Sequence, residues 1–276
     1  MDLRTTTTLA LAGMLLVLPT ACSTTPESVS GPPAPSPVSE PSERPTFEAC
    51  DREAAEAGTT NLRPSELTQA DREAAEAVWG GTIPEGRLVL EHATDLTLPL
   101  GELGFGNGYD AAVGGLGGDQ LRRVAAPGTS APITLAVLEG SNSARSVAFV
   151  EVRVGDGVPV RWEEDPALGF VTDGGDGGVW APATPDEQAV DDVAAFDSIE
   201  AMYPNGDSAS GNVCVLRSTK AGVDGVQFSA GWGDGGYPTF VGYDAAGQEV
   251  SVVSHGLIIP WSLSGLPGTP PSGEDL

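Results

Sequence analysis

Across 276 residues the chain carries 39 acidic against 13 basic side chains, a formal net charge of −26, and its one lysine is Lys220. A surface this anionic excludes nucleic acid and anionic headgroups as partners, since both need clustered Lys and Arg; cationic partners stay open. Solubility alone also accounts for such a charge.

The first element is an apolar run from Leu9 to Leu18, behind Arg4, leading into Ala21, Cys22 and Ser23. At about ten residues it is too short to cross a hydrocarbon layer of roughly 30 Å, and small residues flank its end. The combination resembles a bacterial lipoprotein signal, in which the chain is cut before a cysteine that already bears diacylglycerol. It predicts residues 1–21 as signal peptide, Cys22 as the lipidated first mature residue, and a membrane contact made through that lipid on the extracytoplasmic face. An ordinary secretory signal would put Pro19 where a small residue is wanted and leave Cys22 as an odd thiol; an uncleaved anchor would need roughly twenty apolar residues.

From Cys22 to Thr46 the chain is dominated by Pro, Ser, Thr and Glu, including Pro32-Pro33 and Pro35-Ser36-Pro37. Such a segment buries no core and favours an extended tether of about 3 Å per residue. Residues 22–46 are therefore read as a stalk, 47–266 as a single domain, and 267–276, with Pro270-Pro271, as a frayed tail. With Cys22 assigned to lipid, Cys50 and Cys214 remain as an even pair in an oxidising compartment, which predicts a disulfide between them.

Asp51 to Ala57 and Asp71 to Ala77 are the same seven residues, Asp-Arg-Glu-Ala-Ala-Glu-Ala. Both copies are rich in helix formers, and two short helices are predicted. From Gly86 the pattern turns to glycine-punctuated runs with a period near two: Arg87 to His92, Leu96 to Leu100, Ile133 to Leu138 and Ser146 to Val154. Val147 to Val154, Gly155-Asp156-Gly157 and Val158 to Trp162 together read as a hairpin. Thr184, Pro185 and Glu187 resemble a capping box opening a helix to about Met202. Asn212 to Ser218, Val226 to Ala230, Tyr237 to Tyr243 and Gln248 to Ser254 read as closing strands, with Asp244 to Gly247 as a turn. The fold class expected is mainly β, an antiparallel β-sandwich-like domain with a few short helices.

The densest motif runs from Ser229 through Gly231-Trp232-Gly233-Asp234-Gly235-Gly236 to Tyr237-Pro238, followed by Gly242-Tyr243-Asp244. Together with Leu98-Pro99-Leu100-Gly101, the run Val147 to Trp162 and the Gly-rich loop at Asp173, it resembles the bacterial domain of unknown function 4241 over about residues 86–261. The resemblance implies a β-rich fold and brings no reaction. The chain departs from the family pattern at Ser254-His255-Gly256, where an Asp-Phe pair is usual, and in its Asp173 loop.

Trp232, Asp234, Tyr237 and Asp173 form the candidate ligand loop. In one reading Asp234 is presented on bare backbone beside a platform of Trp232 and Tyr237 for a sugar or peptide; in the other Asp234 caps loop amides and the two aromatics enter the core. Asp173 and Asp176 lack the acid alternation of a calcium loop, with Thr184 at its twelfth position, and no metal site is predicted. His92 and His255 have no metal-ligand spacing. No nucleophile elbow occurs, because Gly206-Asp-Ser208-Ala-Ser210 fails at its last position, and Gly104-x-Gly106-x-Gly108 reads as a flexible loop. The function expected is that of a membrane-tethered lipoprotein acting as a binding or interaction module, with an envelope protein or glycan as partner and no nucleic acid. The alternative is a hydrolase using Asp234 with Asp173, Asp176 or His255, which needs those groups in one cleft.

Overall fold

The alternation that starts at Gly86 builds two antiparallel sheets in the computed structural model, which describes residues 46–48, 53–56, 58–107, 120–141, 145–182, 213–217 and 224–273. The strands are β1 (Thr46–Glu48), β2 (Glu53–Ala54), β3 (Ser65–Leu67), β4 (Gly86–Leu98), β5 (Glu102–Gly106), β6 (Arg122–Arg123), β7 (Thr129–Gly140) and β8 (Arg145–Arg153). They continue as β9 (Arg161–Glu164), β10 (Phe170–Thr172), β11 (Asp176–Ala181), β12 (Val213–Arg217), β13 (Asp224–Ser229), β14 (Gly235–Tyr237), β15 (Thr239–Tyr243) and β16 (Glu249–His255). Helix α1 spans Gln69–Trp79 and a 3-10 turn spans Trp261–Leu263.

One sheet has the order β1-β12-β13-β11-β5-β6, the other β2-β4-β7-β8-β16-β15-β9 with β3 beside β2 on β4, and β10 pairs with β14 as a separate ribbon. The mainly β, antiparallel sandwich-like class is thus the observed one. Leu135, Val150 and Val252 of the larger sheet meet Phe105, Val179 and Phe228 of the smaller in one core. The larger sheet buries its other face as well, with Ala136, Phe149 and Phe240 lying against Leu62, Ala75 of α1, and Trp261.

Bulges adjust this two-faced sheet. Between Ala136 and Val137 the register on β8 skips from Phe149 to Val147. Ala148 and Phe149, though consecutive, therefore both enter the second core, as a two-against-one bulge allows. A second bulge, between His92 and Thr94, lets the two runs expected at 87–92 and 96–100 form one strand of 13 residues.

Several local expectations are corrected. The first Asp-Arg-Glu-Ala-Ala-Glu-Ala copy is not a helix: Glu53 and Ala54 pair with His92 and Glu91 on the edge of β4. The second copy is α1, whose Thr68 cap accepts from the Asp71 amide. The Val147 to Trp162 hairpin does not form; β8 lies between β7 and β16, so the chain crosses to pair β9 with β15. Gly104 and Gly106 stand on β5 opposite Trp180 and Gly178 and are sheet, not loop. Pro238, lacking an N–H, splits the expected 237–243 strand into β14 and β15. The start of the expected tail is tied down, since Trp162 Nε1 donates to the Pro267 carbonyl at 2.9 Å and the Thr269 amide to that of Val160 at 2.8 Å. The 184–202 helix lies outside the described residues.

Candidate functional site

The Gly-Trp-Gly-Asp-Gly segment is the turn between β13 and β14, and its base is braced. The Ala230 amide donates to the Gly175 carbonyl at 2.9 Å and the Gly233 amide to that of Ala230 at 2.7 Å. From below, the Tyr237 hydroxyl donates to the carbonyls of Gly233 at 2.6 Å and Ala230 at 3.0 Å. Tyr237 is buried and stacked on Phe170 at 5.2 Å. Burial pushes its phenol above the ordinary value, against the lowering effect of the turn backbone at Gly233. A Cβ at Gly231 would come within 2.1 Å of the Gly256 carbonyl oxygen, and Gly233 sits at φ +105°, so neither position takes a larger residue without strain.

This brace divides the two aromatics. Tyr237 belongs to the interior, whereas Trp232 is 63% exposed. Asp234 is exposed too, and its carboxylate makes no hydrogen bond among the described residues. Asp173 is likewise exposed in the turn after β10. Because Thr172 pairs with Gly235, one further step along the ribbon leads to Asp173 on one strand and Asp234 on the other. The structure brings these two carboxylates to the same end of the ribbon.

Asp176 and His255, the other residues of the alternative reading, do not join them, and neither does His92. Asp176 is buried on β11, accepting from Gln227 Nε2 at 2.7 Å and from Thr172 Oγ1 at 3.4 Å. His255 is buried in the second core, stacked on Phe149 with centroids 4.7 Å apart and with its Nε2 2.8 Å from the Ile259 carbonyl. His92 lies 3.8 Å from Asp95 on β4. Among the described residues no three His, Cys, Asp or Glu side chains gather as metal ligands. Cys22 and Cys50 lie outside the described residues, and Cys214 is described only as backbone on β12, opposite Gln227.

Two clefts escape any reading by spacing. The register sets Glu66 against Arg87, Arg87 against Glu139, and Glu139 against Arg145, a charge row across β3, β4, β7 and β8. This row lines a cleft of about 510 Å³. Next to it a cleft of about 330 Å³ is walled by Pro84, Leu138, Ile258 and Trp232. A separate polar knot at Arg122 fastens the sheets together, with Nε 2.6 Å from Asp165 and Nη1 3.0 Å from Glu249. Burial lowers its guanidinium pKa, but the Glu249 and Asp165 carboxylates outweigh that and raise it.

Residues 121–254 match the model of the family described as a protein of unknown function, DUF4241. This segment belongs to the DUF4241 family. The DUF4241 match begins at Leu121, later than the Gly86 expected, and leaves β4 and β5 outside it. It holds Asp173, Trp232, Asp234 and Tyr237 and ends at Ser254, directly before His255. No curated protein and no solved structure matches the chain.

Proposed function

We propose that the protein is a lipid-anchored, extracytoplasmic binding module of the cell envelope, carried on a Pro/Ser-rich stalk by Cys22. The observation that carries the binding role is Trp232: an indole 63% exposed on a turn whose base is held by the bonds of Ala230, Gly233 and Tyr237. Leaving so large an apolar surface in water forgoes burial of about 2–3 kcal/mol, and exposed indoles beside a cleft are what partners seat against. The anchor rests on the Leu9 to Cys22 segment; no helix among the described residues is long and apolar enough to cross a membrane.

The anchor is tested by growing cells with labelled palmitate. The expected result is label in the wild-type chain and none in Cys22→Ser, which also accumulates with its signal uncleaved. Label retained by Cys22→Ser overturns the assignment. Binding is tested in the same cells with a photoreactive amino acid at position 232. Cross-linked partners are expected there and not from the same group placed at Ala245, on the exposed turn before β16.

The compartment also bears on Cys50 and Cys214. Glu48 at the end of β1 pairs with Val215, so the two strands run together two residues before Cys50 and one residue from Cys214. This supports the disulfide. Alkylation of the native exported protein is expected to find neither cysteine free, and Cys214→Ser to lose about 2–5 kcal/mol of stability. Two alkylated thiols in the oxidised protein overturn the pairing.

A further inference from the structure

We infer that the paired clefts beside Trp232 take a basic, extended peptide, with an apolar side chain seated against the indole and cationic side chains over the neighbouring carboxylates. This rests on the binding-module reading and names its partner class.

The two clefts share Glu85, Gly140 and Ser141 and so lie side by side. The apolar end has a floor of buried Leu138 and Ile258 and a wall formed by the exposed face of Trp232. At the polar end the charges do not balance. Arg145 is held by Glu91 and Glu139, and Arg87 lies 2.7 Å from Glu139, so both cations are already paired. Glu66 and Glu85 line the same space, are exposed, and form no ion pair among the described residues. The surplus is negative next to an indole, which itself attracts cations through its ring face. The overall charge of −26 adds long-range attraction for a basic ligand and repels an acidic one. A groove that runs from an indole to two unpaired carboxylates suits an extended strand whose side chains on one face, two residues apart, are apolar at one end and cationic at the other.

The test titrates purified full-length protein with acetyl-Leu-Ser-Lys-Ser-Lys-amide, in which leucine and both lysines share one face of the extended strand, its glutamate counterpart acetyl-Leu-Ser-Glu-Ser-Glu-amide, and chitotetraose, read by calorimetry. Trp232→Ala and the double variant Glu66→Gln/Glu85→Gln change only exposed side chains, and their melting curves confirm folding. The expected result is saturable binding of the lysine peptide alone, weakened about tenfold or more in Trp232→Ala. In the double variant the affinity falls about fivefold and depends less steeply on salt than that of the wild type. Equal or tighter binding of the glutamate peptide, binding of the lysine peptide unchanged in Trp232→Ala, or binding of chitotetraose in its place overturns the inference. If the position-232 cross-links persist in cells while the lysine peptide fails to bind, the partner class is wrong and the module reading stands.

Discussion

Glu151→Leu is expected to melt roughly 6–20 °C below the wild type. Glu151 lies on β8 with 1% of its surface exposed, facing the second core. Its carboxylate accepts from the Asn61 amide and Asn61 Nδ2 at 2.8 Å each, from Ser251 Oγ at 2.6 Å, from the Leu62 amide at 3.4 Å, and from the Thr60 hydroxyl. One buried anion thereby satisfies the backbone of the strap that seats Leu62 in the second core. An apolar replacement leaves those donors buried without a partner, which costs about 3–5 kcal/mol, or about 2–4 °C per kcal/mol in a domain of this length. Glu151→Gln keeps one acceptor oxygen and is expected to lose about half as much. Hydrogen exchange localises the effect: residues 60–62 should lose protection in both variants before the β7 and β8 amides do. A Glu151→Leu protein melting within a degree of the wild type would show that the strap holds by packing alone.

That clamp also marks where the sequence stops being legible. The β-rich class could be read from the period-two runs, because a strand buried on one or both faces must place apolar groups at alternate positions. Which strands become neighbours could not. Gly155-Asp156-Gly157 carries a strong local hairpin signal, yet Arg153 reaches into the turn, donating to the carbonyls of Gly155 at 3.2 Å and Asp156 at 3.0 Å, while β16 takes the place beside β8. The duplicated Asp-Arg-Glu-Ala-Ala-Glu-Ala makes the same point with identical residues: Thr68 caps one copy into a helix, and the free edge of β4 draws the other into a strand. Local propensity of a few tenths of a kcal/mol per residue yields to such pairing. In the candidate loop the motif was legible and the division of labour was not. Trp232 and Tyr237 look equivalent in sequence, and only the hydrogen bonds from the Tyr237 hydroxyl to the turn carbonyls send one inward and leave the other out. The groove beside it is assembled from Glu66, Arg87, Glu139 and Arg145, residues brought together by cross-strand register alone.

The second large effect concerns acid. His255 is fully buried, and burial lowers its pKa from 6.5 to about 4 in spite of the bond to the Ile259 carbonyl, which favours the charged form. In the native ring Nε2–H donates to Ile259 and Nδ1 has no partner among the described residues, so a second proton has nowhere favourable to sit. The unfolded chain binds its proton near the ordinary value and the folded chain does not. Stability from this residue is therefore complete above about pH 6.5 and drains away as the pH falls towards 4, by about 3 kcal/mol in all. Carboxylates titrate over the lower part of that range, and a matched variant separates the two contributions. His255→Phe keeps a ring on Phe149 and beside Trp261, and leaves the Ile259 carbonyl unpaired at a cost of about 1–3 kcal/mol at neutral pH. Denaturant unfolding from pH 7.5 down to 4.5 should show the wild type losing stability faster than His255→Phe, the two curves converging as the pH drops. Parallel curves would mean that His255 takes up a proton without cost in the native state, and that the second core admits water where Phe149, His255 and Trp261 meet.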